Sequence, residues 1–295
     1  MEDDDFEDND LFLEKDIFEI NMLGAANNGK LEEVIRQIDG GIHVDAMNAK
    51  GETALHIACR RNDMDMAKIL LERDANVNSK SDDYNSPLHE LTENDNQELA
   101  ELLIKHGANV NIRDKIGWTP LHEACKKGHA EFVVFLLRNG ANINAQDCKG
   151  YTALHIVCCK IKDDGCLSVL LSHRPDLTLK NKRGETAFEL SHLFAGYQIE
   201  RIMFSHCSTS RMDNGRLFIH HILGEGRYSW LPETNNQIGV KEVMKENQKA
   251  VEDIDPKTGL YPFGLAAAKD GDLDSSFELL RRTPYLLIDK GNCWK

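Results

Sequence analysis

The sequence predicts an all-α fold, a solenoid of stacked helix–turn–helix units with projecting hairpin loops, and three observations carry that prediction. A hydroxyl residue recurs at Thr53, Ser86, Thr119, Thr152 and Thr186, with spacings of 33, 33, 33 and 34 residues. Within each period two short apolar runs keep helical spacing, as Leu121, Ala124 and Cys125 do, followed by Phe132, Val133, Leu136 and Leu137. A helix pair of this size cannot bury its own apolar face, so such units have to stack.

The clearest unit is DKIGWTPLHEACKKGHAEFVVFLLRNGANINAQ, Asp114 to Gln146. Thr119 followed by Pro120 is a helix start: the hydroxyl can accept from an orphan backbone N–H, and proline needs no N–H of its own at the first position. Gly128 ends the first helix by accepting a positive φ, and Gly140 ends the second. The run ANINAQDCKG, Ala141 to Gly150, is polar and turn-rich and suits a projecting hairpin loop. On these residues the stretch resembles an ankyrin repeat, its Thr119–His122 run matching that family's TPLH pattern. The resemblance implies a partner-binding concave surface made of the hairpin loops and the exposed sides of the first helices. It also implies a structural hydrogen-bonding role for the histidine of the pattern.

In chain order, residues 1–19 hold ten acidic side chains against Lys15 alone. Such charge density opposes compaction and predicts a disordered, solubilising tail. Its Phe6, Leu11, Phe12, Leu13, Ile17 and Phe18 leave open a binding helix or a cover for the end of the stack. The first repeat begins near Ile20 and keeps Ala25, Ala26, Gly29, Val34 and Ile35, but has Ile20 to Leu23 in the TPLH positions, as terminal repeats tend to deviate. The second is regular, with Asn62 and Asp74 in place of glycines, a tolerable exchange because both enter the left-handed region readily. The third departs further: Tyr84 replaces the turn glycine, Leu91 the small helix residue and Asp95 the helix-ending glycine, so it is expected to pack least well of the middle four. The fourth is complete. The fifth carries one extra residue between its helices and Ile161 where a glycine would end the first of them. The sixth has Phe188 and Glu189 in the Leu and His slots. Six repeats over residues 20–206 are therefore expected, then a divergent ankyrin-like extension over 207–295 with echoes at Gly215–Leu223 and Asp255–Arg282 around an inserted loop and helix.

A net charge of −14 argues against nucleic acid as a partner. No apolar run approaches the roughly 20 residues of a membrane span, and the first residues lack the basic start and apolar core of a signal peptide. Eight cysteines without CxxC pairing fit a reducing compartment, with Cys59, Cys125 and Cys158 filling one small packing slot. A cytoplasmic monomer is expected, the nucleus being open to the same reasoning.

No P-loop, GxSxG, HExxH or dinucleotide fingerprint is present, and the carboxylates are spread along the repeats. No catalytic residue, cofactor or metal is therefore assigned. His56, His89, His122 and His155 recur 33 residues apart, and stacked helices about 10 Å apart hold equivalent residues too far from one another to share a metal.

The variable slot after the turn glycine reads Glu52, Asn85, Trp118, Tyr151 and Glu185, which sets two large aromatics in adjacent repeats, a residue type favoured in binding hot spots. Ile116, Arg113, Lys115 and Lys149 flank them in the loops. Arg60, Arg61, Lys126, Lys127 and Ile156 lie on the first helices, and Lys180, Lys182 and Arg183 extend the basic character. The expected surface is a basic-edged concave strip with an aromatic centre, suited to another protein or an acidic peptide, which the acidic tail could also occupy. The plainer reading is that the aromatics pack between repeats and the lysines are merely solvated. Two alternatives stand beside the adaptor: a regulatory subunit or enzyme accessory acting through 207–295, and a transcription-related adaptor using the acidic tail.

Overall fold

The computed structural model describes residues 21–160, 165–194 and 202–203, and the expectations for the tail and for residues 207–295 lie outside them. The described residues are helical, without a strand. Residues 21–27 form α1, and α2 Leu31–Asp39 completes the first repeat. The second repeat holds α3 Ala54–Arg60 and α4 Met64–Glu72; the third α5 Pro87–Glu90, a 3₁₀ turn Leu91–Glu93 and α6 Gln97–Lys105. The fourth has α7 Pro120–Lys127 and α8 Ala130–Arg138, the fifth α9 Ala153–Cys158 and α10 Cys166–Ser172, and α11 Ala187–Phe194 follows them.

The chain divides into two compact units: Met1–Val157, Asp164–Pro175 and Leu179–Glu185 in the first, and Cys158–Asp163, Asp176–Thr178 and Thr186–Lys295 in the second. In the first unit α3 packs on α4 within the second repeat and α7 on α8 within the fourth, while across repeats α3 packs on α5, α5 on α7, α4 on α6 and α8 on α10. Ala58, Cys59, Ala124 and Cys125 of the first helices are fully buried, as are the larger Leu70, Leu103, Phe132 and Leu136 of the second helices. Each such large side chain contributes about 1.5–3 kcal/mol on burial. In the second unit the described α11 starts at Thr186, whose backbone N–H donates to Glu189 Oε2 at 2.7 Å, the usual carboxylate form of a capping box.

The hydroxyl residue that marks the period is the N-cap of each first helix, with Thr119 extended at φ −101° and ψ 165°. Here the third helical residue of the capping box is histidine: Thr53, Ser86 and Thr119 cap through the backbone of His56, His89 and His122, and each histidine side chain answers the cap's own N–H. Asn62 and Asp74 both stand at φ 61°, as expected for glycine replacements; Tyr84 at 61° and Asp95 at 53° do the same work in the third repeat, and Arg174 at 53° was not foreseen. The third repeat shows its departures in its first helix, which is one turn long before it tightens to 3₁₀. Leu91 is fully buried in the slot that Ala58 and Ala124 fill in the second and fourth repeats. Thr92 Oγ1 lies 2.7 Å from the His89 carbonyl, a back-bond that favours the tighter turn.

Asparagines tie the outer ends of successive units. Asn78 Nδ2 donates to the Gly107 carbonyl at 3.0 Å while its Oδ1 accepts from Asn109 N–H at 2.8 Å, and Asn111 repeats both bonds with Gly140 and Asn142.

Candidate protein-interaction surface

Each loop is built around one polar residue, Asn48, Ser81, Asp114, Asp147 or Asn181, whose side-chain oxygen accepts a backbone N–H of the same loop. Asp114 Oδ1 accepts from Ile116 and Trp118 N–H at 2.9 and 2.6 Å, and Asp147 Oδ1 accepts from Lys149 and Tyr151 N–H at 2.7 and 2.8 Å. Asp114 and Asp147 then donate their own N–H groups to the Trp118 and Tyr151 carbonyls at 2.9 Å, closing the hairpins. Neighbouring loops are joined by single backbone bonds of 2.9 Å: Asp82 to Lys50, Lys115 to Asp83, Cys148 to Ile116 and Lys182 to Lys149. Gly117 is required twice over, by φ 82° and because a Cβ would stand 2.9 Å from Cys148 N.

Ile116 projects from its loop tip, 53% exposed. Trp118 is half-buried behind it. The Trp118 ring stacks on His122 with centroids 6.3 Å apart, Nε1 donates to Asp147 Oδ2 at 3.0 Å, and Lys126 Nζ sits 4.8 Å from the ring centre. Tyr151, also half-buried, meets His155 edge-on at 5.8 Å. Both aromatics thus have packing duties and remain partly open to a partner. Lys149 is exposed at its loop tip, as are Lys182 and Arg183. Lys115 lies 3.9 Å from Asp83, and the Arg113 guanidinium donates to the Gln146 carbonyl at 2.6 Å.

The first helices are less basic than the sequence suggested. Arg60 bonds Glu52 at 2.5 Å and lies 3.7 Å from Glu90; Lys127 pairs with Glu93; Arg61 donates to the Asn27 carbonyl at 2.6 Å. Ile156 is half-buried in the slot that Glu90 and Glu123 occupy in preceding repeats. The Arg60 hydrogen bond holds the Glu52 carboxyl below its ordinary range. Burial pushes Glu90 up to about 7, with Arg60 opposing and Glu52, Glu123 and Glu93 adding. Burial raises Glu123 likewise, against the Thr92 hydroxyl 3.0 Å from its Oε2. These two carboxyls were visible in sequence as members of one slot. Their effect on the charge of the strip was not, because it depends on which cations they absorb.

The four histidines are fully engaged. Nδ1 accepts the N–H of Thr53, Ser86, Thr119 or Thr152 at 3.1 Å, which leaves the proton on Nε2. Nε2 donates to a carbonyl of the following repeat: Asn85 at 2.9 Å, Trp118 at 3.3 Å, Tyr151 at 3.2 Å and Glu185 at 3.3 Å. Burial lowers all four, His89 to about 4. Neither nitrogen is left for a metal, and among the described residues no group of three or more His, Cys, Asp or Glu is placed to hold one. No described helix is long and apolar enough to cross a membrane.

A family model described as ankyrin repeats (3 copies) matches residues 22–114 and 109–181. Over 68 residues the chain is 35% identical to Ankyrin repeat-containing protein P1E11.10 of Schizosaccharomyces pombe, covering 23% of this chain and 33% of that one. Over 52 residues it is 37% identical to Acyl-CoA-binding domain-containing protein 2 of Arabidopsis thaliana, covering 18% of this chain and 15% of the relative. The matched stretches thus span a third or less of either relative.

Proposed function

The chain belongs to the ankyrin repeat family, and from that premise we propose that it is a non-enzymatic adaptor that binds an acidic segment of another protein along the loop edge of its fourth to sixth repeats. Ankyrin repeats are protein–protein interaction units; the acidic partner, the site, the monomeric state and action in the cytoplasm or nucleus are the proposed part. The observation that carries it is Ile116, 53% exposed at a loop tip whose backbone is pinned on both sides by Asp114 and the Cys148 N–H. An exposed apolar side chain on a preformed loop loses little conformational entropy on binding. Lys149, Lys182 and Arg183 stand exposed along the same edge and supply a cationic border.

Affinity purification with the wild type, Ile116→Asp, Lys149→Glu and Trp118→Ala/Tyr151→Ala tests the site. The double aromatic variant is expected to weaken the captured partner about thirty-fold or more, the effect of losing a hot spot. Ile116→Asp has no side-chain hydrogen bond to break, so its circular dichroism should match the wild type while capture falls. Lys149→Glu should lower capture most at low salt. Equal capture by Ile116→Asp and wild type would rule out this edge.

A further inference from the structure

Between the third and fourth repeats the hydrogen atoms do not suffice for the contacts made. Thr92 is fully buried, and its single hydroxyl hydrogen faces two acceptors, the His89 carbonyl at 2.7 Å and Glu123 Oε2 at 3.0 Å. With Glu123 ionised only one of these is a hydrogen bond. With Glu123 protonated both are: its O–H donates to Thr92 Oγ1, and the Thr92 hydroxyl donates to the His89 carbonyl.

The surroundings favour the added proton. Asp114 of the fourth-repeat loop and Glu93 of the 3₁₀ turn face Glu123 as like charges, and Lys127 of its own helix α7 opposes them while pairing with Glu93. Glu90 of α5, its side chain 12% exposed, adds a further carboxyl to the cluster. From α3 comes one cation, Arg60, which sits 2.5 Å from Glu52 and only 3.7 Å from Glu90, beside the buried Cys59 thiol. One guanidinium cannot neutralise four carboxylates.

We propose that the third and fourth repeats are latched by a proton: protonated Glu123 closes a relay through Thr92 to the His89 carbonyl, and ionisation of the Glu90 and Glu123 pair releases it. The latch sits on the 3₁₀ turn of the third repeat, where it adds to the burial of Leu91 and to the bond from Asn94 Nδ2 to the Arg60 carbonyl at 2.8 Å, so its release loosens one of several contacts. It concerns the repeat stack itself and does not depend on the partner proposed above. The sign follows from linkage. The native carboxyls keep protons that the unfolded chain gives up near the ordinary 4.5, so the contribution is complete below that value and is lost as pH rises through the folded values, about 7 for Glu90.

Hydrogen exchange of residues 87–93 in the full chain, corrected for intrinsic rates, tests the latch. Because Glu90 titrates in the same pH range on its own account, every chain compared carries Glu90→Gln; with the wild-type residue at position 123, protection is expected to fall severalfold as pH rises from about 4.5 through the raised folded value of Glu123. Glu123→Gln carries a permanent donor, so its loss should be about twofold or less. Thr92→Val keeps the shape without the relay and should start low and stay flat. Parallel slopes with Glu123 and with Glu123→Gln, or a flat slope with Glu123, would overturn the proposal. Should Glu123→Gln fold poorly, the side-chain carboxyl carbon of Glu123 in the wild type decides by NMR: a midpoint above the ordinary glutamate range supports the latch, and one within it refutes it.

Discussion

The third and fourth repeats are built on one plan and differ at three of the positions that set its turns and its first helix. Both use a hydroxyl cap, a proline at the first helical residue and a buried histidine that reaches into the next repeat. The fourth has Gly117, Ala124 and Gly128 where the third has Tyr84, Leu91 and Asp95. Its first helix runs eight residues to a left-handed Gly128, whereas that of the third runs four and tightens. The cap, histidine and loop bonds survive all three changes. The connections between repeats are therefore separable from the regularity of the helices they connect, and a family member can vary the second while keeping the first.

The largest test of that separation removes a histidine from each repeat. His89→Ala and His122→Ala should each cost about 3 kcal/mol, combining a lost buried side chain with a cap N–H left without its acceptor and a carbonyl left without its donor. Equal losses in urea unfolding support the separation, and a much cheaper His89→Ala breaks it. Acid gives an effect of similar size. The unfolded chain binds a proton at His89 near pH 6.5, which the folded chain refuses until about 4. Stability is thus present above 6.5 and is lost as pH falls towards 4, by about 3 kcal/mol from this group. Glu90 works with the opposite sign over an overlapping window, so the His89 share is read as the difference between Glu90→Gln and the double variant Glu90→Gln/His89→Ala. A smaller effect is expected from exchanging turn residues. Tyr84→Gly should raise the unfolding midpoint by relieving φ 61°, worth about 1 kcal/mol, while Gly117→Ala should lower it by about 2 kcal/mol through φ 82° and the 2.9 Å approach to Cys148. The smallest is Asp95→Gly. It relieves φ 53° and removes a buried carboxylate oxygen, Oδ1, that has no hydrogen-bond partner, and should stabilise by about 0.5–1 kcal/mol.

The period and the caps were legible because they depend on residue types with few substitutes: a hydroxyl cap, a small helix face, a residue that accepts positive φ. Asn62 and Asp74 were read correctly on that ground. The charge of the interaction strip was not legible in the same way. Arg60 and Lys127 look free in a linear pattern, and only folding brings Glu52, Glu90 and Glu93 against them. Trp118 shows a mixture: its slot marked it as exposed, yet its ring spans to Asp147 and rests on His122. The asparagine bonds between units were missed because asparagine in a turn has a sufficient local reason to be there.

The histidine bonds all point the same way along the chain. His56, His89 and His122 each wait for a carbonyl 29 residues later, and His155 for one 30 residues later. A chain emerging from the ribosome therefore always carries one repeat whose cap is closed on its own side and open on the other, until about one more period has been made. From the second repeat to the fifth, growth is templated forwards: each completed unit presents the donor that orients its successor, and a ribosome stalled between them would expose a single ready donor at the growing end.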